Sequence, residues 1–378
     1  MKFKIERAAL LSHLNHVSKA LAVRTPLPIL TFIKCKVSEE GMLLVASDSD
    51  ITIQTFLPVD AQTQKTLTVI EAGEIALPGK YFIELIKKST KELLEITSDE
   101  KFQVIIKNGR SKYKLNGFDT VNYPKIEMIT NEKRIPLTQL ELKQLIQETA
   151  FACSMSSSRP ILTGVHFLFQ NQQLQAVATD SFRLGKTTLP LKQSVEPMDI
   201  VIPKKSLMEL SKLLTDSEDI VYLAVQRNQV AFEFESMTFQ TRLLDGTYPD
   251  TKEFVPQTFQ TEIGLDIPEL YEALDRASLM AKDQTSNVVR LRGDQQEQKI
   301  IIIAQSPEIG EIEEEVDANF IKGNTFEVAC SSVFLLEALK TFESDEMMIG
   351  YNGSMRPLVL FETENEQMLQ LIVPVRID

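Results

Sequence analysis

The chain has 378 residues, 43% hydrophobic and 25% charged, with a formal net charge of −13 and a pI of about 5.0. This is the composition of an ordinary globular protein. No apolar run reaches the ~18 residues of a membrane span, and the start Met1-Lys2-Phe3-Lys4-Ile5-Glu6 lacks the apolar core of a secretory signal. A cytoplasmic location without membrane contact is therefore expected. The acidic balance argues against a domain that grips nucleic acid over its whole surface, since such domains are usually basic. It leaves room for a basic face on an acidic body.

In chain order, residues 7–21 read as a helix, with Ala9, Leu10, Leu14, Val17 and Leu21 at helical spacing. His13 and His16 stand three apart on it, but no third ligand of the right type is nearby, so no metal is assigned. Pro26 and Pro28 end the helix. Strands follow to Thr55, then a helix over 80–88, strands over 94–115, and a turn at Tyr123-Pro124.

The order then starts again. A helix is expected over 142–151. A hairpin follows, in which Val, His, Phe, Leu and Phe alternate over 165–169, turn at 171–173, and return over 174–178. A second helix is expected over 206–214, capped by Ser206, and strands over 221–225, 230–235 and 239–244. A third pass gives a helix over 270–280, strands over 288–291 and 299–303, a helix over 333–342, and strands over 358–362 and 369–373.

The repetition is also in the residues. Pro28-Ile29-Leu30-Thr31 recurs as Pro160-Ile161-Leu162-Thr163, 132 positions on, and Ala46-Ser47-Asp48-Ser49 recurs as Ala178-Thr179-Asp180-Ser181 at the same offset. Leu77-Pro78-Gly79-Lys80 matches Ile202-Pro203-Lys204-Lys205, and Tyr123-Pro124 matches Tyr248-Pro249, both 125 positions on. A fainter third copy places Ser306 where Asp180 stood, 126 positions on. Three units of about 125 residues, near the usual domain size, fill the chain. Each has two helices and about eight short strands, with polar linkers near 127–134 and 253–261.

Catalytic chemistry finds no support. There is no Gly-rich phosphate loop or dinucleotide fingerprint and no Gly-x-Ser-x-Gly elbow. With three histidines, two of them on one helix, a Ser-His-Asp arrangement is not expected. The acidic run Glu308, Glu311, Glu313, Glu314 and Glu315 reads as a solvated face. Asp48 and Asp180, repeated with the fold, read as turn caps. Cys35, Cys153 and Cys330 lie in different units without metal-ligand spacing and read as buried reduced thiols. No catalytic residue, cofactor or metal is assigned. Lysines do recur on the second helix of each unit: Lys80, Lys87 and Lys88, then Lys204, Lys205 and Lys212, then Lys340. A positive surface made by one helix of every unit suits phosphate contact without sequence readout.

Arg159-Pro160-Ile161-Leu162-Thr163-Gly164-Val165, Ala178-Thr179-Asp180-Ser181-Phe182-Arg183-Leu184, Gly246-Thr247-Tyr248-Pro249-Asp250 and the terminal Val373-Pro374-Val375-Arg376 closely resemble the bacterial DNA polymerase III beta subunit family, the replicative sliding clamps, in its Gram-positive branch. The resemblance covers the whole chain. It implies an α+β fold of three clamp domains (1–127, 128–254 and 255–378), each with two helices packed on antiparallel sheets. Two chains close head to tail into a six-domain ring around duplex DNA, which is held topologically and without regard to sequence.

The resemblance also implies site residues. Arg24 and Arg159 lie in loops that face the hole in the family, alongside Lys80, Lys204, Lys205 and Lys212. Tyr113 and Leu115 of domain I, with Leu279 and Met280 of domain III, match the contact between protomers. A hydrophobic cleft between domains II and III takes a short Gln- and Leu/Phe-containing motif. Its bearers are the replicative polymerase alpha-type subunit, the clamp loader, repair polymerases, mismatch repair proteins and ligase. By motif match, Leu162, Thr179, Ser181, Phe182, Arg183, Leu184 and Pro249 line it from domain II. Met355, Pro357, Val373, Pro374, Val375 and Arg376 line it from domain III. Phe182 stands where the family often has His, and Glu253 where it has a basic residue. The expectation is a non-catalytic processivity factor. The alternatives are a repeated-domain scaffold with no DNA role, or a carboxylate- and metal-dependent nuclease.

Overall fold

The computed structural model describes residues 1–59, 66–124, 129, 133–256, 258–281, 287–363, 365 and 367–376. The expected boundary at 127/128 lies outside the described residues. The first third contains β1 (Lys2–Glu6), α1 (Arg7–Val17), β2 (Phe32–Ser38), β3 (Gly41–Ser47), β4 (Ile51–Pro58), β5 (Leu67–Glu71), β6 (Gly73–Pro78), α2 (Gly79–Lys88), β7 (Leu93–Ser98), β8 (Gln103–Asn108) and β9 (Ser111–Asn116). The middle third contains β10 (Ile135–Thr138), α3 (Gln139–Ala150), β11 (Gly164–Gln170), β12 (Gln173–Thr179), β13 (Arg183–Pro190), β14 (Met198–Pro203), α4 (Lys204–Ser211), β15 (Ile220–Gln226), β16 (Gln229–Phe234) and β17 (Met237–Arg242). The last contains β18 (Thr261–Asp266), α5 (Ile267–Ala281), β19 (Val288–Asp294), β20 (Lys299–Ser306), β21 (Gly310–Gly323), β22 (Phe326–Ser331), α6 (Ser332–Leu339), β23 (Glu346–Tyr351), β24 (Leu358–Phe361) and β25 (Met368–Ile372).

The repeat extends to individual hydrogen bonds. Pro28–Thr31 and Pro160–Thr163 are both single 3₁₀ turns leading into a strand. In each the Thr hydroxyl donates to the Pro carbonyl, at 2.8 and 2.7 Å. Asp48 and Asp180 cap turns, as expected: Asp48 Oδ1 accepts from the N–H groups of Asp50 and Ile51, and Asp180 Oδ1 from those of Phe182 and Arg183. Ser49 and Ser181 adopt the same left-handed conformation, with φ of 85° and 79°. In the third copy Ser306 Oγ accepts from the Ile309 N–H at 3.3 Å, the same three-residue reach as Asp180 to Arg183.

Two compact units emerge, Met1–Leu140 with Glu209–Leu243, and Glu141–Met208 with Leu244–Asp378. In the first, among the described residues, one sheet runs β5-β1-β7-β8-β9 and a second runs β10-β15-β16-β17-β4-β3-β2-β6. Among its described residues the other unit holds a twelve-stranded sheet, β14-β11-β12-β13-β25-β24-β23-β18-β21-β20-β19-β22. The middle repeat is thus divided. Half of its strands join the first repeat through β17 on β4, and half join the last through β25 on β13. An edge strand carries a row of unmet N–H and C=O groups, and pairing across the repeat boundary satisfies them.

The cores follow the periodicity. Leu10, Leu14 and Val17 of α1 are buried. On the sheet of the second unit, Leu270, Ala273, Leu274 and Ala277 of α5 meet Leu335, Ala338 and Leu339 of α6 in one cluster. Two helix boundaries differ from expectation. α4 begins at Lys204, so Ser206 is its third residue, 1% exposed, and not the cap. α6 ends at Leu339, which makes Lys340 its C-terminal flank. Its ammonium lies 5.5 Å from the Tyr271 ring centroid.

Candidate functional site

The turn between β12 and β13 decides where four consecutive side chains go. The Thr179 hydroxyl donates to the Arg183 carbonyl at 2.6 Å and accepts from the Ser181 N–H at 3.1 Å. Asp180 caps the turn. Ser181 and Phe182 are thereby turned outward, with Phe182 61% exposed. Arg183 is turned inward and is 8% exposed. Its Nε donates to Asp180 Oδ2 at 3.0 Å and its Nη1 to Glu337 Oε2. Its guanidinium lies 4.4 Å from the ring centroid of Phe334 and 5.3 Å from that of Phe151.

β13 pairs with β25, Arg183 opposite Ile372 and Leu184 opposite Leu371. The segment after β25 is strung between two anchors. Val373 N–H donates to the Phe182 carbonyl and Val375 N–H to the Ala329 carbonyl, both at 2.8 Å. Between them opens a pocket of about 430 Å³. Phe182, Val373, Pro374 and Val375 form one side, and Asn287, Ser331, Val333 and Phe334 the other. It is mainly apolar, with Asn287 and Ser331 as its polar lining residues, which is the usual make-up of a site for aromatic or aliphatic anchors.

The other residues expected at the cleft are not among this pocket's lining. Leu184 is 2% exposed, in a cluster with Val177 and Leu371 that Val373 flanks. Leu162 is 4% exposed, in a cluster with Val201 and Tyr248. Tyr248 accepts from the Thr179 N–H at 3.0 Å and stacks on His166 at 4.8 Å. His166 Nε2 lies 2.7 Å from Asp199 Oδ1. Leu162, Thr179, Arg183 and Leu184 are buried, while Pro249 next to Tyr248 is exposed. Met355 and Arg376 are not among the residues lining the 430 Å³ pocket. With Val375 they line a second cavity of about 650 Å³ that also includes Arg290 and Tyr351. Pro357 is half-buried.

Sequence reasoning missed Val333 and Phe334. The signal was present: α6 is apolar on more than one face, so Val333 remains 37% exposed at its first turn, where a solvated helix carries polar residues.

Three family models match in sequence order. Residues 1–127 match the DNA polymerase III beta subunit N-terminal domain, 136–250 its central domain, and 252–376 its C-terminal domain. The chain belongs to the DNA polymerase III beta subunit family. It is 37% identical over 377 residues to the beta sliding clamp of Staphylococcus aureus, covering 100% of this chain and 99% of that one. The crystal structure of the DNA polymerase sliding clamp from Bacillus subtilis superposes with a TM-score of 0.97 at 38% identity, with both chains fully covered. That of the DNA polymerase III beta chain from Streptococcus pneumoniae gives 0.95 at 33%, again over both whole chains.

The residues expected at the other two surfaces fall in loops, at helix ends and on an edge strand. Arg24 and Arg159 are exposed in loops before the two 3₁₀ turns. Lys80 is the second residue of α2, and Lys204 and Lys205 open α4. Both helices thus start after a Pro flank and carry lysine in the first turn, at the end where free N–H groups and the dipole favour anions. Lys204 is half-buried, its Nζ 3.5 Å from the Phe151 carbonyl. Lys212, just beyond α4, pairs with Glu209 at 2.7 Å. Lys340 lies at the opposite end of its helix, so the N-terminal lysines are not repeated in the last third.

Tyr113 and Leu115 are half-buried on β9, an edge strand among the described residues, and alternate with exposed Lys112 and Lys114. Leu279 is 58% exposed near the end of α5, and Met280 is half-buried. β21 bonds to β20 over residues 310–317 and to β18 from Ala318 onward, so its first half has no neighbour on its other side among the described residues. That half presents Glu311, Glu313, Glu315 and Asp317 to solvent. Glu314 departs from the expected solvated face: Arg276 Nε and Nη2 donate to its two oxygens, each at 2.9 Å. This bidentate pair holds the Glu314 carboxyl below its usual range. The thiols of Cys35, Cys153 and Cys330 are buried, and burial pushes each up to about 12. They are inert as nucleophiles at neutral pH.

Proposed function

We propose that this protein is a non-catalytic sliding clamp, a processivity factor that works in the cytoplasm as a head-to-tail homodimer around duplex DNA. The observation that carries the reading is the match of the whole chain, in order, to the three domains of one family. Two unlike strand edges support the closure. β9 carries Lys112 and Lys114, and the open half of β21 carries Glu311, Glu313 and Glu315. The two edges are complementary in charge and lie on one chain, so two copies close a ring through two identical contacts. Tyr113 and Leu115 would face Leu279 and Met280 there.

DNA is held by the ring itself, so its contacts need only be weak. Arg24, Lys80, Arg159, Lys204, Lys205 and Lys212 supply them to phosphates. Each phosphate contact adds about 0.9 to the salt slope of binding. The partner polymerase docks at the Phe182–Val373 pocket, and the cleft would extend toward Leu162, Thr179 and Leu184. The replicative polymerase alpha-type subunit, clamp loader, repair polymerases, mismatch repair proteins and ligase would share that pocket in turn.

The experiment is retention on DNA. Loaded onto a nicked circle, the protein should remain bound for long times and leave as soon as the circle is cut. Equal retention on linear and circular DNA would remove the topological mechanism. Hydrolysis of the DNA by the purified protein would favour a nuclease.

A further inference from the structure

The strands around the Phe182 pocket occur a second time, within the first unit. The Ser47 hydroxyl lies 3.0 Å from the Ile51 carbonyl and accepts from the Ser49 N–H at 3.3 Å, as Thr179 does with Arg183 and Ser181. β4 then pairs with β17 in the register of β13 with β25, Ile51 opposite Thr241 as Arg183 is opposite Ile372. The third strand keeps the register too, Val230 opposite Thr241 as Leu358 is opposite Ile372.

These registers assign counterparts without superposition. Asp50 stands for Phe182 and Thr52 for Leu184. Gln240 stands for Leu371, Arg242 for Val373 and Gln229 for Pro357. All five polar residues line a cavity of about 320 Å³ in the first unit. Leu30 and Pro124, the counterparts of Leu162 and Pro249, line it as well. Gln240 Nε2 donates to Gln229 Oε1, so a pair of joined amides stands where Leu371 and Pro357 stand in the second unit. The strand frame occurs twice, and its side chains change from apolar to polar at five positions; of the apolar five, Phe182 and Val373 line the 430 Å³ pocket.

We propose that Asp50, Thr52, Gln229, Gln240 and Arg242 are specificity-determining residues that close a pre-formed second recess to apolar anchors, so that each chain offers one peptide site. This rests on the reading of the Phe182 pocket as the peptide cleft. A Leu or Phe entering the first-unit recess would take the exposed Asp50 carboxylate and Arg242 guanidinium out of water and offer neither a hydrogen bond. That loss outweighs the burial of the anchor.

The test converts the recess. Asp50→Phe, Thr52→Leu and Arg242→Val are combined in the full chain, leaving the buried Gln240 in place. Titration with a labelled short peptide carrying Gln and a Leu-Phe pair should give one site per chain in the parent and two in the variant. With residues from 373 onward also deleted, the variant should keep one site of undiminished affinity where the equally truncated parent binds about ten- to a hundredfold more weakly. A variant that melts cooperatively near the parent temperature and still binds one peptide overturns the proposal. If the triple variant does not fold, Asp50→Phe with Arg242→Val, both at exposed positions, replaces it, and failure to gain a site there overturns it equally. If the parent binds no peptide, the cleft reading falls. A site gained by the variant in that case still upholds the polarity reversal, and no gain sinks both.

Discussion

The guanidinium of Arg183 lies 4.4 Å from the ring centroid of Phe334, a wall of the 430 Å³ pocket. The residue before it, Phe182, forms another wall. One strand start therefore supplies both an exposed aromatic and the cation that braces the aromatic facing it. Arg183→Ala should leave Asp180, whose side chain is 15% exposed, without its ion partner. Breaking a buried pair costs about 3–5 kcal/mol. Because Glu337 is 43% exposed, the low end is expected, read as a lower urea midpoint. Peptide affinity should fall with it, as Phe334 loses its support. Unchanged stability would mean that the two carboxylates do not depend on Arg183.

Burial pushes the Glu148 carboxyl up to about 7, with a lesser upward contribution from Glu343 and Glu362 and a downward one from its hydrogen bond with Thr187. Between the unfolded value of 4.5 and about 7, the folded chain binds the extra proton. Its stabilising contribution is full below the unfolded value and is lost as pH rises through the folded one. The full loss is on the order of 3 kcal/mol at 1.36 kcal/mol per unit. Glu148→Gln should therefore gain stability relative to the parent as pH goes from 5.5 to 8, in urea melts at matched salt. Parallel pH profiles for the two proteins would show that Glu148 ionises normally.

Charge introduced at Leu279 and Met280 together should give monomers by light scattering, with the melting transition of each unit retained. Lys112→Glu with Lys114→Glu should also weaken the dimer, by setting like charges against Glu311, Glu313 and Glu315. Raising salt should weaken the parent dimer and strengthen that variant, because exposed charges are screened. A dimer of unchanged mass in both variants would place the contact elsewhere.

Deleting residues from 373 to the C-terminus removes one side of the pocket and the hydrogen bonds from Val373 and Val375. Residues 377 and 378 lie outside the described residues. An anchoring Leu or Phe would then stay partly in water, and its full burial is worth roughly 1.5–3 kcal/mol. Peptide binding should weaken by about ten- to a hundredfold, one decade per 1.4 kcal/mol. Dimerisation should persist, since Tyr113, Leu115, Leu279 and Met280 are untouched. The paired readout is peptide titration and molecular mass. Full affinity in the truncated dimer would move the docking site.

The sequence by itself determined the threefold repeat, because Pro28 and Pro160, Asp48 and Asp180, and Tyr123 and Tyr248 are local devices. A proline fixes φ and an Asp caps the turn that follows it, whatever the distant chain does. The same local logic placed the six helices within a few residues, erring at α4 where Pro203 rather than Ser206 precedes the first turn. Only the tertiary structure decided which strands are shared. Nothing local in β4 or β13 specifies β17 or β25 as its neighbour, because any edge strand offers the same N–H and C=O row. Nor could spacing show that Arg183 turns inward while Phe182 turns outward, since that follows from the left-handed Ser181 just before them. Val333 and Phe334 became pocket walls for a similar reason: an apolar helix face is core or site according to what the rest of the chain leaves uncovered.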